Sequence, residues 1–219
     1  MPSTLIMFHY QRDPERIEIE TYTKIRELVP LDQFTHEQQQ VVLPLIRACG
    51  EPGIAERVRF SPQALETAKR AIRNYAPILY DFDTVTTGLQ NDLLYQEPLS
   101  FINKAVVISQ AKANKQTRSM TSVEYWRKYL KGAICLLGES STALFRLLEM
   151  IKYENAAKPA LIVATPAGFL HTSEAKQVLM DLYHDLELEY ILIEGRWGGS
   201  MFATSIMNAL LKVQKGIYI

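Results

Sequence analysis

The segment Tyr190-Ile-Leu-Ile-Glu-Gly-Arg-Trp-Gly-Gly-Ser200 joins a short apolar run to a glycine-rich turn just before a helical pattern. Gly195, Gly198 and Gly199 allow tight turning and close approach of a ligand, and Ser200 can cap the helix that follows. Backbone N–H groups and the helix dipole favour negative charge at such a place, so the spacing suits an anion cradle. The same wording also serves as a plain structural turn. Three other segments of like character follow apolar runs: Asp81 with Thr84, Thr86, Thr87 and Gly88; Gly138-Glu-Ser-Ser-Thr142; and Thr165-Pro-Ala-Gly168-Phe169. If the four runs are parallel strands, their polar or glycine-bearing ends converge on one crevice, where such sheets bind ligands.

The elements needed to position these groups are legible. Asp13-Pro14 is an N-cap with proline in the first turn, and Ile17, Thr21, Tyr22, Ile25 and Leu28 follow a helical stripe. Thr35 starts a second helix toward Arg47-Ala48-Cys49-Gly50, with an expected kink at Pro44, and Ser61-Pro62 opens a third. Ile78–Tyr80, Ala105–Ile108, Ile134–Leu137, Ala160–Val163 and Tyr190–Ile193 are short and apolar enough to be buried strands. Helical patterns over Thr121–Lys131, Ser141–Lys152, Ser173–Tyr183 and Ser200–Val213 separate most of them. This predicts an α/β fold, a doubly wound, Rossmann-like and mainly parallel sheet with helices on both faces. Residues 1–219 are expected to form one domain, with 1–60 as a helical N-terminal segment packing on the sheet.

Composition narrows the function classes. The 219 residues carry 24 Lys and Arg against 24 Asp and Glu, so no basic stripe offers itself to nucleic acid. The two cysteines, Cys49 and Cys135, lie far apart and without CxxC spacing, which argues against a disulfide framework or a zinc knuckle and fits a reducing cytoplasm. No apolar run approaches the roughly twenty residues of a membrane span, and the polar start lacks a signal-peptide core. Nucleotide fingerprints are missing too: there is no GxGxxG after the first strand and no GxxxxGK[ST]. Trp126 is expected in a core or interface; Trp197, inside the glycine turn, could stack on a flat ligand or pack between loops.

Taken together, Pro166-x-Gly168-Phe169 with Glu174 and Lys176, Gly195-Arg196-x-Gly-Gly-Ser200, Gly138 with Thr142-Ala-Leu-Phe-x-Leu-Leu-Glu149, and Thr117-Arg118-Ser119 resemble the precorrin-8X methylmutase family over nearly the whole chain. The resemblance implies a homodimeric isomerase of corrin-ring assembly, which moves a methyl group from C11 to C12 of precorrin-8X to give hydrogenobyrinic acid, or the cobalt form from cobalt-precorrin-8. It implies no redox cofactor and no protein-bound metal, cobalt belonging to the substrate where it is present. A macrocycle ringed by carboxylates calls for Arg, hydroxyl and N–H donors. Arg118 and Arg196 are the candidate carboxylate clamps, a guanidinium fork matching a carboxylate bidentately. Asp81, Ser119, Gly138, Thr142, Gly168, Gly198, Gly199 and Ser200 complete the substrate-binding set that the matching motifs imply. Ser119, Thr142 and Ser200 could each instead be a helix cap, and Glu174 with Lys176 a solvated helix face.

One departure bears on catalysis. The resemblance implies a general-acid histidine within wording like His-Ala-Cys-Gly, where this chain reads Arg47-Ala48-Cys49-Gly50. Arginine stays protonated and is a poor proton-transfer group, but it supplies fixed positive charge. Glu139-Ser140-Ser141 stands where the family wording is Asn-Ala-Pro, and Thr84 where methionine is usual. Two readings follow. Either Arg47 acts electrostatically, with His171 on a crevice loop as a candidate replacement donor, or the chain is a lapsed isomerase that carries a tetrapyrrole or acts as a regulator. In the second reading Glu139 sits awkwardly beside an acidic ligand, because like charges repel unless one is paired or protonated.

Overall fold

The computed structural model describes residues 8–219. Helix α1 (Pro14–Leu28) starts where Asp13 accepts the Glu15 N–H at 3.0 Å and buries Tyr22 and Ile25. Helix α2 (His36–Cys49) opens with a reciprocal capping box between Thr35 and Gln38, continues through Pro44, and ends on Gly50 at φ 68°. That positive φ is open to glycine at no steric cost.

The sheet has five strands, β1 (Val58–Phe60), β2 (Ile78–Tyr80), β3 (Ile134–Leu137), β4 (Leu161–Ala164) and β5 (Tyr190–Ile193), in the spatial order β1-β5-β4-β3-β2. The last four are parallel and β1 is antiparallel to β5. Because β2 to β5 lie side by side in chain order, right-handed crossovers carry the intervening helices to one face. Accordingly α5 (Arg118–Glu124), α6 (Ser141–Tyr153) and α7 (Thr172–Leu182) bury Val123, Leu144, Leu147 and Leu179 against Cys135, Leu137, Ile162 and Leu192. The other face is filled by α2, α3 (Ala64–Arg73) and α8 (Ser200–Gln214), which pack on Ile134, Leu136, Val163 and Ile191. Alternate residues of each central strand thus meet different apolar layers, which is why these strands read as unbroken hydrophobic runs.

The mainly parallel sheet with helices on both faces is the fold expected from the sequence. Three local expectations give way. Ala105–Ile108 is not a strand but the start of α4 (Ala105–Ala113), burying Val107 and Ala111 four residues apart while Val106 and Ile108 face outward. Four apolar residues are too few to separate the two periods. The outer edge of β2 instead pairs at one point, a bridge to Leu99. The N-terminal segment expected to be helical up to residue 60 ends in β1, a three-residue strand too short to announce itself. The helix expected over 121–131 starts earlier, at Arg118, because Thr117 caps it by accepting from the Met120 N–H. Trp126 lies just after that helix and is fully buried.

Candidate active site

A cavity of about 650 Å³ opens on the α2–α8 face, a size ordinary for a small-molecule site. Its walls come from Arg47 and Ala48 of α2, Tyr22 of α1, Thr84, Thr87 and Gly88 of the segment after β2, and one side of α8 from Ser200 to Lys212. Arg47 and Lys212 are the charged side chains lining it among the described residues. Arg47 Nη1 donates to the Tyr22 hydroxyl and to Glu18 Oε1, each at 3.2 Å. The hydrogen bond with Tyr22 and the nearby Glu18 charge hold its guanidinium above the usual range, against a smaller opposing effect of burial. Arg47 is therefore a fixed, oriented cation rather than a proton donor.

The wall that Ser200 contributes is built from three strand ends. Asp81, directly after β2, is fully buried, and its carboxylate accepts the N–H groups of Gly138, Glu139 and Ser140 at 2.8–3.0 Å. Burial pushes its carboxyl up to about 6, against the downward pull of those three amides. The loop so held presents Glu139, whose Oε1 accepts from the Ser200 N–H at 3.1 Å and from the Ser200 hydroxyl at 2.5 Å. Thr84 Oγ1 lies 2.6 Å from Ser200 Oγ. Gly138 makes this approach possible: a Cβ there would stand 2.7 Å from Val85 Cγ2 and 2.9 Å from Ser200 Cα.

Several expected roles are thereby corrected. Asp81 cannot meet a ligand, since it is fully buried and its oxygens are spent on the backbone of the loop after β3. The anion position at the start of α8 holds Glu139, so Ser200 faces the cavity with its N–H and hydroxyl already committed. Gly138 and Gly198 serve loop packing; a Cβ on Gly198, at φ 155°, would fall 2.1 Å from the Thr165 carbonyl oxygen. Gly199, at φ 125°, donates its N–H to that same carbonyl at 2.6 Å. Gly168 donates to the Arg196 carbonyl and so ties the loop after β4 to the glycine turn. Lys176 is no solvated face: it is fully buried, and its Nζ donates to the carbonyls of Gly195 at 3.0 Å and Trp197 at 2.7 Å. Burial drives its amine down to about 7.

The remaining candidates gather elsewhere on the carboxyl-end rim, away from the residues that line the cavity. Thr142 bridges the hydroxyls of Thr117 and Ser140, at 2.8 and 3.0 Å, which brings the starts of α5 and α6 together. Beside this bridge Arg118 is exposed and Ser119 buried. Arg118 and Arg196 form no ion pair among the described residues, and the Arg196 guanidinium lies 5.6 Å from the centre of the exposed Phe169 ring. Trp197 is half exposed, with Arg57 6.0 Å from its ring centre. His171 is exposed at φ 59°, just before α7, and does not line the cavity that holds Arg47. Arg47 and His171 are thus not brought together. Glu139 and Lys176 are the structural anchors that the sequence did not reveal as such. A signal for the first was available, since Gly199 has no side chain with which to cap α8.

Comparisons with known proteins show the family. A sequence profile described as precorrin-8X methylmutase matches residues 16–213. The precorrin-8X methylmutase of Pseudomonas aeruginosa is 33% identical over 206 residues, covering 93% of this chain and 98% of that protein. The cobalt-precorrin-8 methylmutase of Leptospira interrogans is 31% identical over 202 residues, covering 89% and 91%. The crystal structure of precorrin-8X methylmutase from Thermus thermophilus superposes with a TM-score of 0.83 at 30% identity, covering 94% of this chain and 98% of that one. On sequence and fold alike, the chain belongs to the precorrin-8X methylmutase family.

Proposed function

We propose that the protein is an isomerase of cobalamin biosynthesis that moves a methyl group from C11 to C12 of precorrin-8X or cobalt-precorrin-8, with the macrocycle held in the Arg47 cavity. The observation that carries this reading is the pairing of a 650 Å³ cavity with a fixed cation, Arg47, whose orientation Tyr22 and Glu18 set. Methyl migration within one molecule needs no external redox partner; it needs the macrocycle held in a reactive shape while electron density shifts within the ring. A preoriented positive charge stabilises that shift more in the transition state than in the ground state. Arg47 takes this electrostatic role at the position where the family resemblance implies a histidine. Lys212, lining the same cavity, receives a ring carboxylate. Arg118 and Arg196 clamp carboxylates that project over the rim, a role supported by their exposure and by their lack of ion-pair partners among the described residues.

The same reading makes the protein a homodimer of the cytoplasm, in keeping with its family resemblance and with the free thiols of Cys49 and Cys135. Light scattering of the purified protein checks the first part. The test of function is incubation with precorrin-8X, and separately with its cobalt form, while the visible spectrum is followed as the chromophore becomes a corrin. Conversion by the native protein and its loss in Arg47→Met are the expected results. Tight binding without conversion would replace this reading with that of a tetrapyrrole carrier, and absence of binding would remove the corrinoid assignment.

A further inference from the structure

Glu139 is exposed, yet its carboxylate is tightly employed. The start of α8 has a glycine at its cap, so the first amide of the helix, Ser200 N–H, has no local side-chain acceptor. Glu139 Oε1 supplies one from the loop after β3 and takes the Ser200 hydroxyl proton as well. Thr84 Oγ1 lies 2.6 Å from Ser200 Oγ, where either hydroxyl can donate, and 3.5 Å from Glu139 Oε1. Both hydroxyls of this wall thus stand within hydrogen-bond reach of the Glu139 carboxylate. The loop that delivers Glu139 is itself pinned by Asp81 through three amides. A preformed internal anion thus occupies the spot where a helix start would otherwise attract one from solution.

We propose that Glu139 is a specificity-determining residue, which fills the anion position of α8 so that the Thr84–Ser200 wall accepts an uncharged edge of the ligand and leaves carboxylates to Arg47 and Lys212. The charges of the cavity are distributed to match: its two lining cations stand on α2 and on the far part of α8, and the glutamate stands behind the wall at the start of α8. A polycarboxylate macrocycle can then enter in few orientations, because turning a carboxylate toward Thr84 sets it against a negative charge. This inference rests on the reading of the cavity as the substrate site.

The test separates the two. Inorganic sulfate is titrated into 15N-labelled native protein, Glu139→Gln and Glu139→Ala, with the Ser200 amide resonance as readout and thermal unfolding as a check that each variant folds. Glu139→Gln keeps an acceptor oxygen but loses the charge, so it remains informative if the alanine variant proves unstable. In the native protein the Ser200 resonance is expected to stay put; in both variants it should titrate, in Glu139→Ala at least tenfold more tightly than any native response. Hydrogenobyrinic acid, titrated in parallel, should bind both variants about three- to tenfold more tightly than the native protein, as expected when one like charge is removed. Equal sulfate titration of Ser200 in all three proteins, or unchanged corrin affinity in both variants, overturns the role of Glu139. If the corrin binds none of the proteins while sulfate still discriminates among them, the cavity reading fails, and with it the specificity role, whereas the internal-anion geometry stands.

Discussion

Lys176 makes stability depend on pH in an unusual direction. Its amine is buried under the glycine turn and held by two carbonyls, with no carboxylate among its hydrogen-bond partners. Burial lowers it to about 7, while the unfolded chain keeps the ordinary 10.5. Above pH 7 the unfolded chain therefore binds the proton that the native state has released, and stability rises with pH; below it, the cost of a buried charge is fully in force. Integrating from pH 7 to 8.5 gives a gain of about 1.6 kcal/mol, or roughly 3–6 °C in Tm for a chain of this size. The interval stops there because Cys135, whose buried thiol is pushed up, begins to act in the opposite sense near its ordinary 9.0. Urea unfolding under reducing conditions, at half-unit steps of pH, measures the slope in the native protein and in Lys176→Met. The variant should lose the slope and also about 1–3 kcal/mol at pH 8.5, because the carbonyls of Gly195 and Trp197 lose their donor. A native protein whose stability is flat over this range, or a variant that retains the slope, would refute the reasoning.

Other outcomes follow from single contacts. Asp81 titrates natively near 6 rather than 3.8, so its contribution is full below about pH 4 and declines by about 3 kcal/mol as pH rises through 6. Asp81→Asn should remove that decline in urea unfolding from pH 4 to 7, while lowering stability throughout, because one amide oxygen replaces a carboxylate that serves three N–H groups; a decline that survives the substitution contradicts this. Gly198→Ala places a Cβ 2.1 Å from Thr165 O, whereas Gly216, at φ 71°, meets nothing within 4 Å. Gly216→Ala should cost about 1 kcal/mol and Gly198→Ala at least about 2 kcal/mol more, and equal melting temperatures would show that the loops part easily. Arg47→Lys keeps a charge but not the rigid planar guanidinium whose Nη1 meets Tyr22 and Glu18 together. Turnover of precorrin-8X should fall by about tenfold or more with little change in the pH profile, and an unaltered rate would mean that orientation of the charge is unimportant.

The sheet was legible because its central strands are covered on both sides. Ile134–Leu137 and Tyr190–Ile193 form strands over those same residues, and Leu161–Ala164 is displaced by one residue. Caps were equally plain at Asp13 and Thr35, where a short polar side chain stands directly before an apolar stripe, whereas the cap at Thr117 went unread. What escaped was whatever depends on a partner far along the chain. β1 is too short for alternation to show and exists because β5 offers it an edge. Lys176 looks like any helical lysine until the carbonyls of Gly195 and Trp197 fold over it. The glycines drew attention as openings for a ligand, yet at Gly138 and Gly198 the space is taken by the protein itself. Arg47 lay in the cavity, whereas Arg118 and His171 lay outside its lining, a distinction that motif order could not make.

The two edges of the sheet also prescribe an order of assembly. Strands β2 to β5 can be added one after another as the chain emerges, each beside its predecessor. β1 has no such neighbour: its partner is the final strand, and the apolar side of α2, with Val41, Val42 and Leu45, waits for α8. During synthesis α2 therefore stands with an uncovered greasy flank until α8 has been made, the period in which a chaperone would find it. Arg47 rides on α2 and Ser200 on α8, so the cavity between them does not exist before α8 has been made. Completion of the pocket and the covering of α2 by α8 are one event, and a protein caught before it could neither hold a macrocycle nor hide its own interior.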